Sequence, residues 1–400
     1  MSTETLRSDV VIIGAGLVGL AAVVAFHQAG FSVILVDGKA SLDAASNNQS
    51  DVWDNRVYAI SPKNAAWLTR LGVWQLIKPK RTCEMQAMEI LADDMRLPLA
   101  LSASDANETT LGFIVEAKSL MQALMQQVES LGIQLLFDSS YHSLTSNLNN
   151  TTVHLDNHKT IECSLLLAAD GSHSSVRQQL HIAVQQKPYD QTAIVANFSV
   201  EVSHNQIARQ WFAKDADGNN SILAWLPLPD NHISIVWSVS NKYADTLLML
   251  SEEEFTKAVL EAGNAGLGEL KLMSPVTAFP LTLQKSHTLV QNSVVLVGDA
   301  AHQIHPMAGQ GVNLGFRDVI DLLEVIKEKN QYQAINDSSL LKHYTRIRKT
   351  DVMNMLLLTD GLYRLFESQN NVVKKVRNWG LAATKQIAIR KMLVANAISL

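Results

Sequence analysis

The chain has 400 residues, of which 47% are hydrophobic and 18% charged, with a net charge of −5 and an isoelectric point near 6.2. This length and composition predict two packed domains with a sizeable core, and the negative balance argues against nucleic-acid binding. We expect neither a secretory leader nor a membrane-spanning helix, which needs ~20 apolar residues in succession. The two cysteines, Cys83 and Cys163, predict free thiols in a reducing cytoplasm rather than a disulfide.

The N-terminal segment predicts a βαβ unit. Residues Asp9–Ile13 and Phe31–Val36 have the apolar composition of buried strands, and the apolar stretch Leu17–Ala29 between them is typical of a helix that stops at Gly30. The first strand leads directly into the sequence Gly14-Ala15-Gly16-Leu17-Val18-Gly19. This is the context in which a Gly-x-Gly-x-x-Gly segment binds a dinucleotide rather than forming an ordinary tight turn.

Each glycine of this segment has a separate expected task. Gly14 permits the tight turn, Gly16 lets the backbone approach a pyrophosphate, and Gly19 lets the helix pack closely on the strand. The helix N-terminus attracts phosphates through its N–H groups. Asp37 lies 18 residues beyond Gly19, near the spacing of ~20 for a carboxylate that binds ribose hydroxyls. A carboxylate there disfavours the 2′-phosphate of NADP.

Two later segments repeat the order of strand, acidic turn and helix. Leu165–Ala169 leads into Asp170-Gly171 and a Ser-rich helix start that includes Arg177. Val294–Val297 leads into Gly298-Asp299 and a Gly-rich turn that opens an apolar helix. A single Asp-Gly is usually only a turn, but three such units in one chain favour a shared ligand site.

Other helices and strands are predicted from their end signals and periodicity. Ser61-Pro62 reads as an N-cap followed by Pro at the first helical position, and Ser251-x-x-Glu254 reads as a capping box. A helix is expected over Ala117–Ser130, and the alternation in His232–Val239 predicts a strand of a sheet with two unlike faces. For Trp211, Trp225 and Trp237, core packing is favoured over an aromatic substrate pocket.

Together these segments resemble the class A flavoprotein monooxygenases and, more narrowly, the ubiquinone-biosynthesis hydroxylases. The similarity covers nearly the whole chain. Four of its motifs are the N-terminal fingerprint, Arg56–Ile60, Asp170-Gly171 with Arg177, and Gly298–Gly315 with Phe316-Arg317-Asp318. The fifth is a C-terminal motif formed by Tyr344, Arg346, Arg348-Lys349, Asp351, Met355, Thr359–Leu362 and Leu365-Phe366. Asp37 departs from the more usual Glu, and Ala117 follows Glu116 where the group usually has Asn. The Ser/Asn-rich segment Ala44–Asp51 looks like an insertion.

The resemblance implies an α/β fold: a Rossmann-like FAD-binding domain with an inserted, mainly antiparallel β-sheet substrate domain of the para-hydroxybenzoate hydroxylase type and a C-terminal helical region. We expect residues 1–75, 112–182 and 284–330 to form the discontinuous FAD domain. Residues 76–111 and 183–283 would form the substrate domain, and residues 331–400 the C-terminal helices.

The resemblance also implies where FAD is held. Its adenosine end is expected at Gly14, Gly16, Gly19 and Asp37, and Asp299 is expected to accept from a ribityl hydroxyl. The other expected cofactor contacts are Arg56, Asp170, Gly171, Gly298, Gly311, Val312 and Asn313. Flavin positioning and electrostatics are assigned to Pro306, which would face the reactive side of the ring, and to Gly309, Gln310 and Gly311, with no acid or base residue assigned. His302 and His305 lack a third ligand at suitable spacing, so no metal site is expected.

The implied activity is hydroxylation of the aromatic ring of a polyprenylated phenol in ubiquinone biosynthesis, through a flavin C4a-hydroperoxide, with O₂ and with reducing equivalents from NAD(P)H. Two routes would bring these electrons to the flavin: NAD(P)H docks on the FAD domain, or a separate reductase delivers them. A flavin-dependent dehydrogenase or reductase, a hydroxylase of small aromatic acids, and a non-catalytic flavin-binding subunit of a biosynthetic complex are the alternatives.

The C-terminal tail has a charge pattern of its own. After Glu367 there is no acidic residue, while six basic residues are interspersed with apolar ones. Such a tail binds an anionic membrane or a complex partner, or it packs on its own protein with a solvated basic face. We therefore expect a cytoplasmic protein, with peripheral contact to the inner face of the membrane as one reading of the tail.

Overall fold

The computed structural model describes residues 5–39, 53–92, 98–264, 266–303 and 311–367, with side chains of the last helix described up to Met355. The strands are β1 Thr5–Ile13, β2 Val33–Val36, β3 Val57–Ile60, β4 Thr82–Met85, β5 Ala87–Ala92, β6 Leu99–Ser102, β7 Gly112–Glu116, β8 Gln134–Leu136, β9 Tyr141–Ser146, β10 Thr151–Leu155, β11 Thr160–Ala168, β12 Val184–Val200, β13 Ile207–Lys214, β14 Asn220–Leu228, β15 His232–Ser240, β16 Leu270–Leu272, β17 Thr277–Ser286, β18 Val290–Gln291, β19 Val294–Leu296 and β20 His302–Gln303. The helices are α1 Leu17–Gln28, α2 Pro62–Arg70, α3 Ala117–Ser130, α4 Ser175–Gln179, α5 Asn241–Leu248, α6 Glu252–Ala262, α7 Gly311–Lys327 and α8 Ser338–Glu367.

The first sheet is built on five parallel strands in the order β19-β11-β1-β2-β8. Strand β18 adds antiparallel to β19, and β9 and β10 extend the sheet from β11. Helix α1 packs against both α3 and α7. The strands are apolar on both faces, as a parallel sheet covered by helices requires, and Val10, Val11 and Ile12 are fully buried. The predicted Rossmann-like unit is therefore confirmed.

The second sheet has nine strands, in the order β20-β17-β12-β15-β14-β13-β5-β6 with β16 beside β12. Its pairs are antiparallel except for β13 and β5, which confirms the mainly antiparallel prediction. Helices α5 and α6 cover one face, and Trp211, Trp225 and Trp237 lie in the core beneath them. The tryptophans thus follow the core-packing interpretation.

A small third sheet, in the order β3-β7-β4, lies between the two larger ones. It contributes Ile60 and Val115 to the core of the first sheet and Ile114 to a cluster with Leu228 of the second. Strand β20, which the sequence assigns to the FAD domain, pairs with β17 of the second sheet. The chain after β19 is therefore hydrogen-bonded to the other sheet, and the predicted domain limits stay a prediction.

The sequence signals at helix ends are confirmed. The Ser61 side chain accepts from the N–H of Asn64 with Pro62 at the first helical position, and Ser251 and Glu254 form both bonds of a capping box. Helix α3 spans the predicted residues. Both cysteines are buried and free, as expected.

Candidate flavin-binding site

Three turns meet at the carboxyl edge of the parallel sheet. Strands β1, β11 and β19 are neighbours, and their ends are connected by hydrogen bonds from the Ala169 N–H to the Ile13 carbonyl (2.8 Å) and from the Val297 N–H to the Ala168 carbonyl (3.0 Å). The Gly14, Asp170-Gly171 and Gly298-Asp299 turns therefore lie side by side. In open α/β sheets a ligand binds in the crevice outside the carboxyl ends of the strands.

The three glycines of the first turn have different surroundings. Gly14 has a φ of +106°, and a Cβ there would lie 2.4 Å from the Ala169 carbonyl oxygen. A Cβ on Gly19 would lie 1.9 Å from the Gly14 carbonyl oxygen, whereas a Cβ on Gly16 would meet no atom within 4 Å. The first and third glycines are thus required by packing within the protein. Gly16 faces open space at the N-terminus of α1, which fits a pyrophosphate.

Asp37 comes to the same turn from the end of β2. Its Oδ2 accepts from the Ala15 N–H at 2.6 Å, and its Oδ1 accepts from the Lys39 N–H at 2.8 Å. The carboxylate therefore fixes the glycine turn. Each of its oxygens has a further lone pair, which leaves acceptors for ribose hydroxyls.

The second turn contains an unpaired buried acceptor. Oδ2 of Asp170 accepts from the Val176 N–H (3.2 Å) and the Ser175 hydroxyl (3.3 Å), while its buried Oδ1 has no hydrogen-bond partner among the described residues. Gly171 beside it has a φ of +81° and open space where a Cβ would lie. Buried polar atoms are rarely left unpaired, so this geometry fits a bound group that donates a hydrogen bond.

Arg177, in α4 just after the second turn, donates to protein carbonyls. Its Nη1 bonds to the Ala300 carbonyl at 2.9 Å and its Nη2 to the Ser172 carbonyl at 2.7 Å. The side chain is 4% exposed. It therefore connects the second turn to the third.

Asp299 lies in the third turn beside Arg56, Tyr58 and His302. The Asp299 side chain is exposed, yet the protein packed around its carboxyl raises its pKa, and His302 and Arg56 only partly offset this rise. Burial also raises the pKa of Tyr58, against the opposing effect of Arg56, which donates a hydrogen bond to the Tyr58 hydroxyl. The structure thus brings Arg56, on the chain just before β3, to the predicted flavin turn.

At the start of α7, the three predicted cofactor contacts Gly311, Val312 and Asn313 differ in their surroundings. Gly311 has open space where a Cβ would lie, and Val312 is 8% exposed. The Asn313 side chain, predicted to bind the cofactor, is fully buried: its Oδ1 accepts from Ser61 (3.0 Å) and Asn64 (2.8 Å), and its Nδ2 donates to the Ala59 carbonyl (2.7 Å). This side chain anchors α7 on β3 and α2.

Four residues assigned from the sequence lie outside the described residues: His305, Pro306, Gly309 and Gln310. Their placement in the site stays a prediction. Within the described residues no three His, Cys, Asp or Glu side chains are grouped as metal ligands.

A charged cluster behind the third turn was missed by the sequence analysis. Fully buried Asp318 accepts from the Gly298 N–H, from His302 Nε2 and from Arg348 Nε, each at 2.8 Å. Arg348, also fully buried, pairs further with Asp321 at 2.7 Å and with Asp351. Burial alone would raise the pKa of Asp318, but His302, Arg348 and the Gly298 N–H hold it below its usual value.

Spacing was the available signal for this cluster. Asp318 and Asp321 are three residues apart on α7, as are Arg348 and Asp351 on α8, so each pair shares one helix face. Charges within otherwise apolar helix patterns indicate partners on a neighbouring helix. The carboxylate on α7 that bonds to His302 comes from the first of these pairs.

Comparison with known proteins identifies the family. Residues 7–358 match the family described as FAD binding domain. The chain belongs to this FAD-binding family. It is 32% identical over 391 residues to ubiquinone hydroxylase UbiL of Rhodospirillum rubrum, covering 96% of this chain and 88% of the relative. It is 30% identical to 3-demethoxyubiquinol 3-hydroxylase of Escherichia coli (96% of both chains) and 30% identical to human ubiquinone biosynthesis monooxygenase COQ6 (99% and 93%).

Solved structures agree in fold. The p-nitrophenol 4-monooxygenase PnpA of Pseudomonas putida superimposes with a TM-score of 0.76 at 16% identity, covering 99% of both chains. PqsL of P. aeruginosa, in complex with 2-aminobenzoylacetate, gives 0.76 at 17% identity, covering 94% of this chain and 100% of PqsL. The resemblance to the ubiquinone-biosynthesis hydroxylases is thereby confirmed, and the protein is an FAD-dependent monooxygenase of that group.

Proposed function

We propose that this enzyme hydroxylates the aromatic ring of a polyprenylated phenol intermediate of ubiquinone biosynthesis, using O₂ and NAD(P)H. The observation that carries the proposal is the similarity to ubiquinone hydroxylases over 96% of the chain. The three adjoining turns, with open space at Gly16 and an unpaired acceptor on Asp170, support FAD as the cofactor.

Bound FAD would supply the chemistry that activates O₂ and transfers one oxygen atom to the ring. The protein's own groups hold and tune the flavin. The N-terminus of α7 presents positive dipole to the negative charge of reduced flavin, an effect of up to ~2 kcal/mol when partly buried. Asp299 accepts from the ribityl chain, and Asp170 accepts from a donor at its free Oδ1.

The electron donor needs a binding site of its own, because the Gly14–Gly19 turn is taken by FAD in this proposal. We infer transient docking of NAD(P)H on the FAD domain. Rapid mixing of the purified holoenzyme with NADPH, with and without a prenylated phenol, should bleach the flavin absorbance at a rate that the phenol increases. Bleaching that requires a second protein would assign the role to a reductase instead.

Contact with a membrane is proposed for the basic tail. No helix of the described residues is both long enough and apolar enough to cross a bilayer, and the tail itself lies outside them. Six lysines and arginines without an acidic residue after Glu367 would each contribute about 1 kcal/mol near an anionic surface. Removing the residues after Gln369 should weaken sedimentation with anionic vesicles while FAD stays bound. A tail that binds a complex partner would leave vesicle binding unchanged.

The decisive experiment is mass spectrometry of lipid extracts from cells that lack this protein. We expect ubiquinone to fall and a prenylated phenol lacking one ring hydroxyl to accumulate. Feeding ¹⁸O₂ to complemented cells should place one heavy oxygen on the ring. Unchanged ubiquinone with no accumulated phenol contradicts the proposal, and ring oxygen without label would favour a dehydrogenase.

A further inference from the structure

The two faces of the second sheet have different surroundings. Along β15, Ile233, Ile235 and Trp237 point to the core beneath α5 and α6. The alternate residues, which include Ser234 and Val236, point to the opposite face, because successive side chains of a strand alternate. This opposite face is called the inner face below.

The inner face adjoins the flavin turn through β3. Leu226 and Leu228 of β14 cluster with Val57 and Ala59 of β3. Between these two residues of β3, Tyr58 lies within electrostatic reach of Asp299. The strand that touches the inner face therefore also carries the side chain that reaches the third turn.

Gln210 lies on the inner face, beyond the part that β3 covers. It pairs with Ala224 across β13 and β14, and Ala224 pairs with Val236. Leu226 is the diagonal neighbour, about 7–8 Å away along the same face. Ala224 and Val236 are partly exposed, while Leu228 is fully buried. Beyond the contact with β3, the Ala224 and Val236 side chains beside Gln210 are therefore partly accessible.

The Gln210 side chain is 3% exposed, and its Nε2 has no hydrogen-bond partner among the described residues. Such a group destabilises the protein, because it loses its hydrogen bonds to water on burial and forms none within the protein. The indole N–H groups of Trp211 and Trp225 are also unpaired, but they lie on the face sealed by helices. Ser234 and Asn197 carry unpaired oxygens one row nearer to β3, where Asn197 Nδ2 already donates to the Asp54 carbonyl.

We propose that Gln210 recognises the oxygen substituents on the ring of the phenolic substrate. The unpaired Nε2 donates, so it would pair with the oxygen of a phenol hydroxyl or of an adjacent carbonyl or ether on the ring. Its neighbours Ala224, Val236 and Ile90 are uncharged, which suits a neutral ring rather than an aromatic acid. This inference rests on the proposed function and assigns a specificity residue within it.

The test compares Gln210→Met with the wild-type holoenzyme, using a phenol with a short prenyl chain and the corresponding prenylbenzene, which lacks the ring oxygen, as probes. Wild type should bind the phenol about tenfold more tightly by Kd, the size of one net hydrogen bond. Gln210→Met should lose most of this preference, keep stoichiometric FAD and melt at a higher temperature, because an unpaired polar group has been removed. Gln210→Leu provides a second variant in case the first does not fold.

A matched control is Gln179→Leu at the end of α4, where the side chain bonds to β9 of the first sheet. The Gln179 carboxamide accepts from the Leu144 N–H and donates to its carbonyl, both at 3.2 Å. This variant should melt at a lower temperature and keep the preference for the phenol. An unchanged preference in both Gln210 variants overturns the assignment of Gln210. A wild-type enzyme that neither binds nor hydroxylates the prenylated phenol overturns the proposed function itself.

Discussion

The charged cluster around Asp318 and the neutral inner face around Gln210 are both buried and polar, but they differ in how their polar groups are satisfied. Asp318 accepts three hydrogen bonds at 2.8 Å, and Arg348 bridges three carboxylates. Arg317 joins this cluster through Asp351 at 3.0 Å, and the polar groups left unpaired beside it are two N–H groups of Arg317 and the hydroxyl of the neighbouring Tyr344, among the described residues. The Gln210 Nε2 has no partner.

This difference indicates two roles for buried polar groups, one in holding the fold and one in binding a ligand. A closed network holds elements in one arrangement, and here it fixes the flavin turn to α7 and α8. An open polar group on an apolar face destabilises the protein alone and is compensated when a ligand binds. Substituting a residue of the paired network should therefore lower the stability of the protein. Substituting an unpaired group such as Gln210 should instead weaken ligand recognition.

The largest effect is expected from Arg348→Met. The substitution leaves Asp318, Asp321 and Asp351 without their common cation, and breaking a buried pair on one side costs about 3–5 kcal/mol. The free energy of unfolding, from urea titration, should fall by that amount, and the Gly298-Asp299 turn should lose FAD affinity with it. Arg346→Met, on the exposed side of the same helix, should change neither. Equal, small effects from both variants would mean that the network does not hold the turn.

Next in size is the contrast between Gly16→Val and Gly19→Val. Space at Gly16 is open, so we expect the first variant to fold with a normal melting temperature and to purify without FAD. A Cβ on Gly19 would lie 1.9 Å from the Gly14 carbonyl, so the second variant should be destabilised even without cofactor. Calorimetry of the FAD-free proteins, together with the flavin absorbance per chain, distinguishes them. A yellow, stoichiometric Gly16→Val protein would refute the placement of the pyrophosphate.

The smallest effect is a dependence on pH. The pKa of Asp318 is lowered in the folded protein, so its contribution to stability is present above the unfolded value of about 4 and is lost as pH falls through the folded value. The difference in unfolding free energy between wild type and Asp318→Asn should therefore become smaller below about pH 4. The difference in unfolding free energy between wild type and Gln210→Met should stay constant with pH, because the described neighbours Ala224, Val236 and Ile90 carry no titratable group. Urea titrations at several pH values measure both differences, and parallel curves for the two variants would contradict this distinction.

Much of the fold could be predicted because its signals are local. The strand, turn and helix at Gly14, the capping box at Ser251 and the N-cap at Ser61 each depend on a few successive residues. The three acidic or glycine turns were predictable as one site because parallel strands bring their carboxyl ends to one edge.

What escaped prediction depends on distant partners. Asn313 belongs to the flavin motif, yet its side chain is taken by Ser61 and Asn64 about 250 positions earlier. The partner of His302 is set by the packing of α7 behind the turn. The partial exposure of Ala224 and Val236 beside Gln210 depends on where β3 stops covering the sheet. The partners of Asn313, the partner of His302 and the surroundings of Gln210 all depend on tertiary packing, and residue spacing along the chain does not determine them.

The discontinuity of the first sheet also has a consequence for biosynthesis of the enzyme. Strand β1 pairs with β11, and β11 with β19, while the turn after β19 is held by Arg348 of α8. At about 5–20 residues per second, on the order of tens of seconds separate the translation of Gly14 from that of Arg348. A nascent chain thus carries the pyrophosphate turn long before it can complete the flavin turn. We expect FAD to be incorporated only when translation is nearly finished, so that an interrupted chain remains free of flavin.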